Sequence, residues 1–384
     1  MVGATLLDFV AAQYAAGQRQ LAECTRQLVS MAQTPIVELL DYSNETVFLE
    51  PTLFTFFGRR EKKVTLEQIL YAKLPDRSSL ATFAAYADHG GLIYLPQLGY
   101  LTTDASDSVV TVDPDVLARG ISGLRRVCNS RIDLCMASDP LLRPILQDAD
   151  EQETRIEEDA AEHYSVGVDR ALETIGRVAP LLFECLLAVT RRVTLFRSEK
   201  LGSFADIAAH GTAFLNVAPP DVTTEVFFVE DLAHQCGHIL FNAVTVNRED
   251  YLRASPTTPL KQLTGADGER RDVYTAFHGV FTEALMCIAL TRCLETRVFS
   301  EEKLHEVLGR LSFVMKRFEL DLLNLQHVQN EGLFTARGLT VVHECGSVFD
   351  EVFRCTADRI IHFDLSNQPY TFSCERFAAL NPRH

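Results

Sequence analysis

The chain has 384 residues, 47% of them hydrophobic and 23% charged, a composition that fits a folded globular protein of one large domain or two ordinary ones. A formal charge of −16 and an isoelectric point near 5.2 argue against nucleic acid or an anionic membrane as the main partner, because both repel an acidic surface. The ten cysteines form no CxxC pair, and Cys185, Cys236, Cys287 and Cys345 fall in apolar helical text, so reduced core thiols are expected and not a disulfide framework.

Residues 4 to 33 contain no proline and place Leu6, Val10, Tyr14, Leu21, Leu28 and Met31 at helical spacing, which predicts a long amphipathic helix ending before Pro35. The start carries Asp8 and its first basic residue is Arg19, unlike the basic lead of a secretory signal. The most apolar later run, Val178 to Val189, is interrupted by Pro180 and Glu184 and is too short to span a bilayer. A soluble, cytoplasmic protein with no membrane partner is therefore expected.

Residues 64 to 88 read as short helices. Leu92 to Leu95, Tyr100 to Thr102 and Val109 to Val112 read as short strands, and Asp113-Pro114 opens a helix to about Cys128. Residues 148 to 162 hold eight acids against one base, Arg155, which reads as a solvated face or linker. A boundary there gives residues 1–147, a mainly helical region with a small β element and no assigned role, and residues 148–384, the domain that carries the chemistry. A long helix through Ile175 and another from Pro180 precede two strands, Val193 to Arg197 and Thr212 to Val217, with helices again near 273–296, 301–327 and 335–356.

Between the strands and the last helices lies Phe227-Phe228-Val229-Glu230-Asp231-Leu232-Ala233-His234-Gln235-Cys236-Gly237-His238. Helical residues four apart share a face, so His234 and His238 form a two-histidine clip, while Phe228, Leu232, Cys236, Ile239, Leu240 and Ala243 bury the rest of the helix. Two ordinary core histidines are the bland alternative. In HExxH zinc peptidases a glutamate after the first histidine activates the metal-bound water, and here that position is Gln235, whose amide cannot take a proton. The pattern points either to a relic site or to metal chemistry that needs no such base, with oxygen activation at non-haem iron the main candidate. His278, 40 residues beyond His238, is the best third ligand, since an antiparallel helix would bring it back to the clip. Glu283 competes with it, but five residues at about 100° each put the two about 140° apart on the wheel, so one helix cannot offer both.

These residues resemble the HExxH-type, 2-oxoglutarate-dependent peptide β-hydroxylases encoded beside ribosomal peptide natural products. The likeness lies in the acidic-apolar lead Val229 to Ala233, in His238, in a loop ending at Arg271, in the His-Gly-Val-Phe turn at His278, and in Leu333 to Leu339, covering roughly residues 195 to 350. The resemblance implies Fe(II) at His234, His238 and His278, with Arg271 receiving the 2-oxoglutarate carboxylate and Arg270 and Arg337 as weaker candidates. Gln235 departs from the family pattern.

The expected protein is a mainly helical α+β fold with a zincin-like metal helix beside a small sheet. It is expected to act as an Fe(II)/2-oxoglutarate-dependent dioxygenase that hydroxylates an unactivated carbon of a peptide or of a carrier-held amino acid. The alternatives are a zinc metallohydrolase whose base has moved to Glu230 or Glu283, and a non-catalytic peptide-binding subunit. The other histidines are expected at the surface or at caps, with His210 reserved as a residue that could line the cleft.

Overall fold

The computed structural model describes residues 2–59, 63–118, 120–135, 142, 145–146, 158–218, 224–265, 268–330 and 332–383. In chain order the elements are α1 (Ala4–Ser30), α2 (Glu45–Phe48), α3 (Pro51–Gly58), α4 (Leu66–Leu70), β1 (Phe83–Ala87), β2 (Leu92–Leu95), β3 (Gly99–Thr102), β4 (Ser108–Val112), α5 (Pro114–Ala118), β5 (Ser122–Gly123), β6 (Arg125–Val127) and β7 (Ile132–Cys135). They continue with α6 (Glu158–Val178), α7 (Pro180–Val189), β8 (Arg192–Phe196), β9 (Thr212–Asn216), α8 (Glu225–Val244), α9 (Leu260–Thr264), α10 (Val273–Thr296), α11 (Glu301–Asn330), α12 (Ala336–Ile360) and α13 (Cys374–Leu380). The fold is α+β and mainly helical.

The chain forms two compact units. The first contains Met1–Gly17, Val166–Val189 and Pro219–His384, and the second Gln18–Ser165 and Thr190–Ala218. In the first unit α10 is the central helix and packs against α8, α11 and α12, with α7 also against α8. Its start is fixed by the Asp272 side chain, which accepts from Thr275 N, and α8 and α12 are capped in the same way by Thr224 and Thr335. By length and composition α10 could cross a membrane, but 83% of its apolar window is buried, as in the core helix of a globular unit.

Among the described residues the second unit holds three small sheets. Strands β1 and β4 form an antiparallel pair, β2, β3 and β5 an antiparallel sheet, and β6 to β9 a four-stranded sheet in which β7, β8 and β9 run parallel. Phe196 and Phe214, from neighbouring parallel strands, are fully buried with Leu142, Leu146 and Ala209.

Several expectations change. The helix from Pro114 stops at Ala118, because Gly120 adopts a left-handed conformation (φ 100°), and β5 and β6 follow instead of helix. Segment 64 to 88 holds the short helix α4 and the 3-10 turns Tyr71–Lys73 and Arg77–Ser79, as expected, but ends in β1. The strands expected beside the metal helix, β8 and β9, belong to the second unit, and α8 belongs to the first. The boundary placed at 147/148 and most of the acidic run that motivated it lie outside the described residues.

Candidate functional site

Helix α8 holds His234 and His238 one turn apart, with their Nε2 atoms 3.0 Å from each other. Helix α10 brings in His278, whose Nε2 lies 2.8 Å from His238 Nδ1 and 3.2 Å from the His238 carbonyl oxygen. The approach of the two helices depends on Gly237, since a Cβ there would stand 3.0 Å from Leu285 Cδ1 and 3.4 Å from Thr282 Cγ2. Phe241 stacks on His278 with centroids 4.7 Å apart and planes at 22°. All three imidazoles are half-buried, so the pairing of His278 with the clip, expected from the sequence, is present, and Glu283 points elsewhere.

Burial holds all three rings neutral. It is the main cause that lowers His234 and His278 well below the ordinary histidine range and His238 to about 4, with His238 adding to the shift of both others. Arg317 lowers His234 further, and Arg248 lowers His278. Neutral imidazoles are good ligands for iron, zinc or copper. The 3.0 Å between the Nε2 atoms of His234 and His238 also equals the spacing of two ligands about 2.1 Å from one ion at a right angle, roughly 3.0 Å.

The rings nonetheless bond to each other. Among the described residues no group of three His, Cys, Asp or Glu side chains forms a ready metal cage. His238 uses Nε2 toward His234 and Nδ1 toward His278, so three nitrogens do not converge on one point. Gln235 sets the direction of the protons. Its amide nitrogen donates to the Asp231 carboxylate at 3.0 Å and lies 3.0 Å from His234 Nδ1. A carboxylate only accepts, which fixes the amide and makes His234 Nδ1 an acceptor, leaving the His234 proton on Nε2. For His234 to offer Nε2 to a metal, that proton must move to Nδ1 and the amide must turn over. The Gln235 carbonyl oxygen is buried without a hydrogen-bond partner, so such a turn would give it one. His234 and His238 fit a metal by donor type and spacing, while His278 Nε2 is engaged by His238 Nδ1, so for a third nitrogen to join them both that contact and the Gln235 amide must yield.

Arg271 is not free to receive a ligand carboxylate, contrary to expectation. It donates to both oxygens of Glu269 at 2.9 and 2.7 Å and to both oxygens of Asp321 at 2.6 and 2.7 Å. Hydrogen bonds from Arg271 hold Glu269 down at about 2, and the two carboxylates raise Arg271 above the usual guanidinium range. The clamp packs over Gly279, where a Cβ would meet Asp321 Oδ2 at 3.3 Å and Arg271 Nη1 at 3.5 Å, so its place beside His278 is structural. Arg337 pairs with Asp250 at 3.5 Å, and Arg270 is exposed.

The two carboxylates proposed as relocated bases are also engaged. Glu230 binds Arg310 at 2.9 Å in a buried network with Glu306, and burial raises its pKa. Glu283, 3% exposed, is raised well above the ordinary range by burial and then by Asp321, against the pull of Arg317 at 3.8 Å. Arg317 is the cation that the sequence reading missed. Its side chain is 41% exposed and its charge is felt at His234, Glu230 and Glu283. A signal was present: Glu306, Arg310, Arg317 and Asp321 recur at steps of four, seven and four along α11, a charged row on one face of the helix.

His210 is a buried histidine of the second unit, 1% exposed, with its Nε2 3.2 Å from Gln18 Nε2, and as expected of a capping residue it closes the C-terminus of the short 3-10 turn Ile207–Ala209, its backbone N–H donating to the Ile207 carbonyl. Compared with known proteins, the chain matches no family model, and no curated protein shows significant similarity to it.

Proposed function

We propose that the protein is an Fe(II)/2-oxoglutarate-dependent oxygenase acting on a peptide or a carrier-held amino acid, with the metal held by His234, His238 and His278. The observation that carries this reading is the meeting of three neutral imidazoles from α8 and α10 at 2.8 and 3.0 Å. The choice of oxygen chemistry rests on the resemblance and on the carboxylates. Position 235 is an amide, Glu230 is committed to Arg310, and Glu283 is buried, raised well above the ordinary carboxylate range and faces Arg317, so these carboxylates do not favour the hydrolytic reading. When bound, iron with 2-oxoglutarate supplies the oxidising power to hydroxylate an unactivated carbon.

The chain's own residues have separable parts. Phe241 fixes the plane of His278 by stacking and shields that side from water. Gln235 controls which nitrogen of His234 carries the proton. Arg317, half-exposed and close enough to shift His234, is assigned the co-substrate carboxylate in place of Arg271. A second reading, a metal-free clasp joining α8 to α10 in a non-catalytic protein, is favoured by the use of both His238 nitrogens in ring-to-ring hydrogen bonds.

Anaerobic titration with Fe(II) and then 2-oxoglutarate separates the readings. Stoichiometric iron, lost in His234→Ala, His238→Ala and His278→Ala and kept in Glu283→Ala, is the expected result. Arg317→Ala should weaken 2-oxoglutarate binding by about 10- to 150-fold, the loss of one charge-assisted contact, with iron retained. Arg271→Ala should mainly lower stability. A wild-type protein that takes up no iron and forms no succinate would leave the clasp as the answer.

A further inference from the structure

We infer that Tyr370, in the segment between α12 and α13, is a positioning residue of the candidate site: with Phe313 it holds the Arg317 guanidinium against aromatic rings, so that the free end of the fork meets the far carboxylate of 2-oxoglutarate. This role rests on the oxygenase reading, which gives Arg317 to that carboxylate. Arg317 Cζ lies 5.1 Å from the centre of the Tyr370 ring and 5.9 Å from that of Phe313, one turn back along α11. A cation at that range over a ring face is attracted by the ring quadrupole.

Tyr370 stands where burial does not put it. The residue is 84% exposed, so little apolar area is gained there, and among the described residues the contact with Arg317 is the one that orders the ring. Its backbone is nevertheless tied down. Phe372, 9% exposed, packs on Arg310 at 4.9 Å, on Phe377 at 5.5 Å and on Phe313 at 5.9 Å. Gln368 Oε1 accepts from Ser373 N at 2.8 Å and closes the loop over residues 369 to 372. Pro369 fixes one more dihedral directly before the ring. The chain around Tyr370 is thereby held while the side chain stays in solvent beside Arg317.

Arg317 is incomplete in a matching way. Among the described residues its guanidinium donates no hydrogen bond, and its ion pair with Glu283 runs from Nε to Oε1 at 3.8 Å, beyond hydrogen-bond length. With the stem held by α11, Nε turned to Glu283 and the central carbon over the rings, the two terminal nitrogens remain for a ligand, the pair that matches the two oxygens of a carboxylate. The charge of Arg317 is felt at His234, which puts the fork beside the imidazoles. An arginine side chain loses rotamer freedom when it grips an anion, and rings that order it beforehand lower that cost. The ring face supplies this ordering and the tyrosine hydroxyl does not enter it.

The chain has no tryptophan, so Tyr370→Trp places a single indole on Arg317 and keeps a ring there. The test is anaerobic titration of the full chain with Fe(II), then with 2-oxoglutarate or with 2-oxobutanoate, which keeps the oxo acid and lacks the far carboxylate. Calorimetry follows wild type and variants, and indole emission follows Tyr370→Trp. Tyr370→Ala should weaken 2-oxoglutarate binding by about 2- to 12-fold, the cost of ordering one long side chain, and leave 2-oxobutanoate unchanged, while Tyr370→Phe restores wild-type affinity. Indole emission should shift with 2-oxoglutarate and not with 2-oxobutanoate or with sodium chloride at equal ionic strength. Equal weakening of both oxo acids, an emission that does not move, or undiminished 2-oxoglutarate affinity in Tyr370→Ala where Arg317→Ala loses it would each overturn the role and leave the oxygenase reading standing. A wild type that binds iron or none and takes up no 2-oxoglutarate overturns that reading and this role with it.

Discussion

The Gln235 amide donates to the Asp231 carboxylate at 3.0 Å, one turn back along α8, and the two side chains depend on each other for their chemical identity. Gln235 is 1% exposed and Asp231 8%. A glutamate at 235 would set two carboxylates at this distance with little water between them, and one would have to bind a proton or move away. Gln235→Glu is therefore expected to lower folding stability by about 2 kcal/mol or more, the order of a buried hydrogen bond exchanged for an unsatisfied group. Gln235→Ala loses only the bond, about 1 kcal/mol. The double variant Asp231→Asn/Gln235→Glu reverses donor and acceptor and should regain most of the loss. Urea unfolding of wild type, Asp231→Asn, Gln235→Glu and the double variant forms a double-mutant cycle. A Gln235→Glu protein as stable as wild type would show that Asp231 does not constrain position 235.

Glu283 gives a prediction with a pH sign. Burial and the neighbouring Asp321 raise its folded pKa well above 4.5, so the folded state binds more protons than the unfolded chain. The stability it contributes is fully present below about pH 4.3 and is lost as pH rises through the folded pKa. Glu283→Gln keeps the shape of the neutral acid and cannot ionise. It should come nearest to wild type at or below about pH 4 and exceed it at pH 8 in urea midpoint. A variant less stable than wild type at pH 8 would mean that Glu283 is ionised there and held by Arg317 at 3.8 Å.

The helices of the first unit were legible because their signals are local: Thr224 and Asp272 cap α8 and α10 by side-chain bonds to residues three ahead, and apolar spacing fixes the buried faces. The meeting of His278 with His238 was legible for the same reason, as an antiparallel return over a known number of residues. Arg271 was misread because its partner Asp321 lies 50 residues away, beyond any local pattern. Arg317 was missed for the matching reason, since a charged row on a long helix looks solvated until the neighbouring helices cover it. The β6–β7 hairpin was hidden because its turn uses Cys128, Asn129 and Ser130 at positive φ without a glycine. The parallel pairing of β7, β8 and β9 joins segments that are not adjacent in the chain.

His210 offers the sharpest reading of how burial governs the second unit. It is 1% exposed, its Nε2 lies 3.2 Å from the Gln18 amide nitrogen, its ring lies 5.3 Å from that of Phe54, and its Nδ1 is buried without a hydrogen-bond partner. Burial, and then the charge of Arg191, lower its pKa to about 3. The folded state therefore holds this ring neutral while the unfolded chain protonates it near pH 6.5, so stability falls as pH drops from about 6.5 toward 3. At pH 5 the unfolded chain is 1.5 pH units below its own pKa, which corresponds to a loss of about 2 kcal/mol. That value changes little for any folded pKa below about 4. His210→Phe keeps a buried ring of similar breadth and removes the proton, so its stability should fall by about 2 kcal/mol less than wild type between pH 7 and pH 5, whatever its stability at pH 7. Other histidines titrate in both proteins and cancel in the difference. Equal slopes in the two urea series would mean that His210 takes up its proton in the folded state, and that the Gln18 contact opens to water.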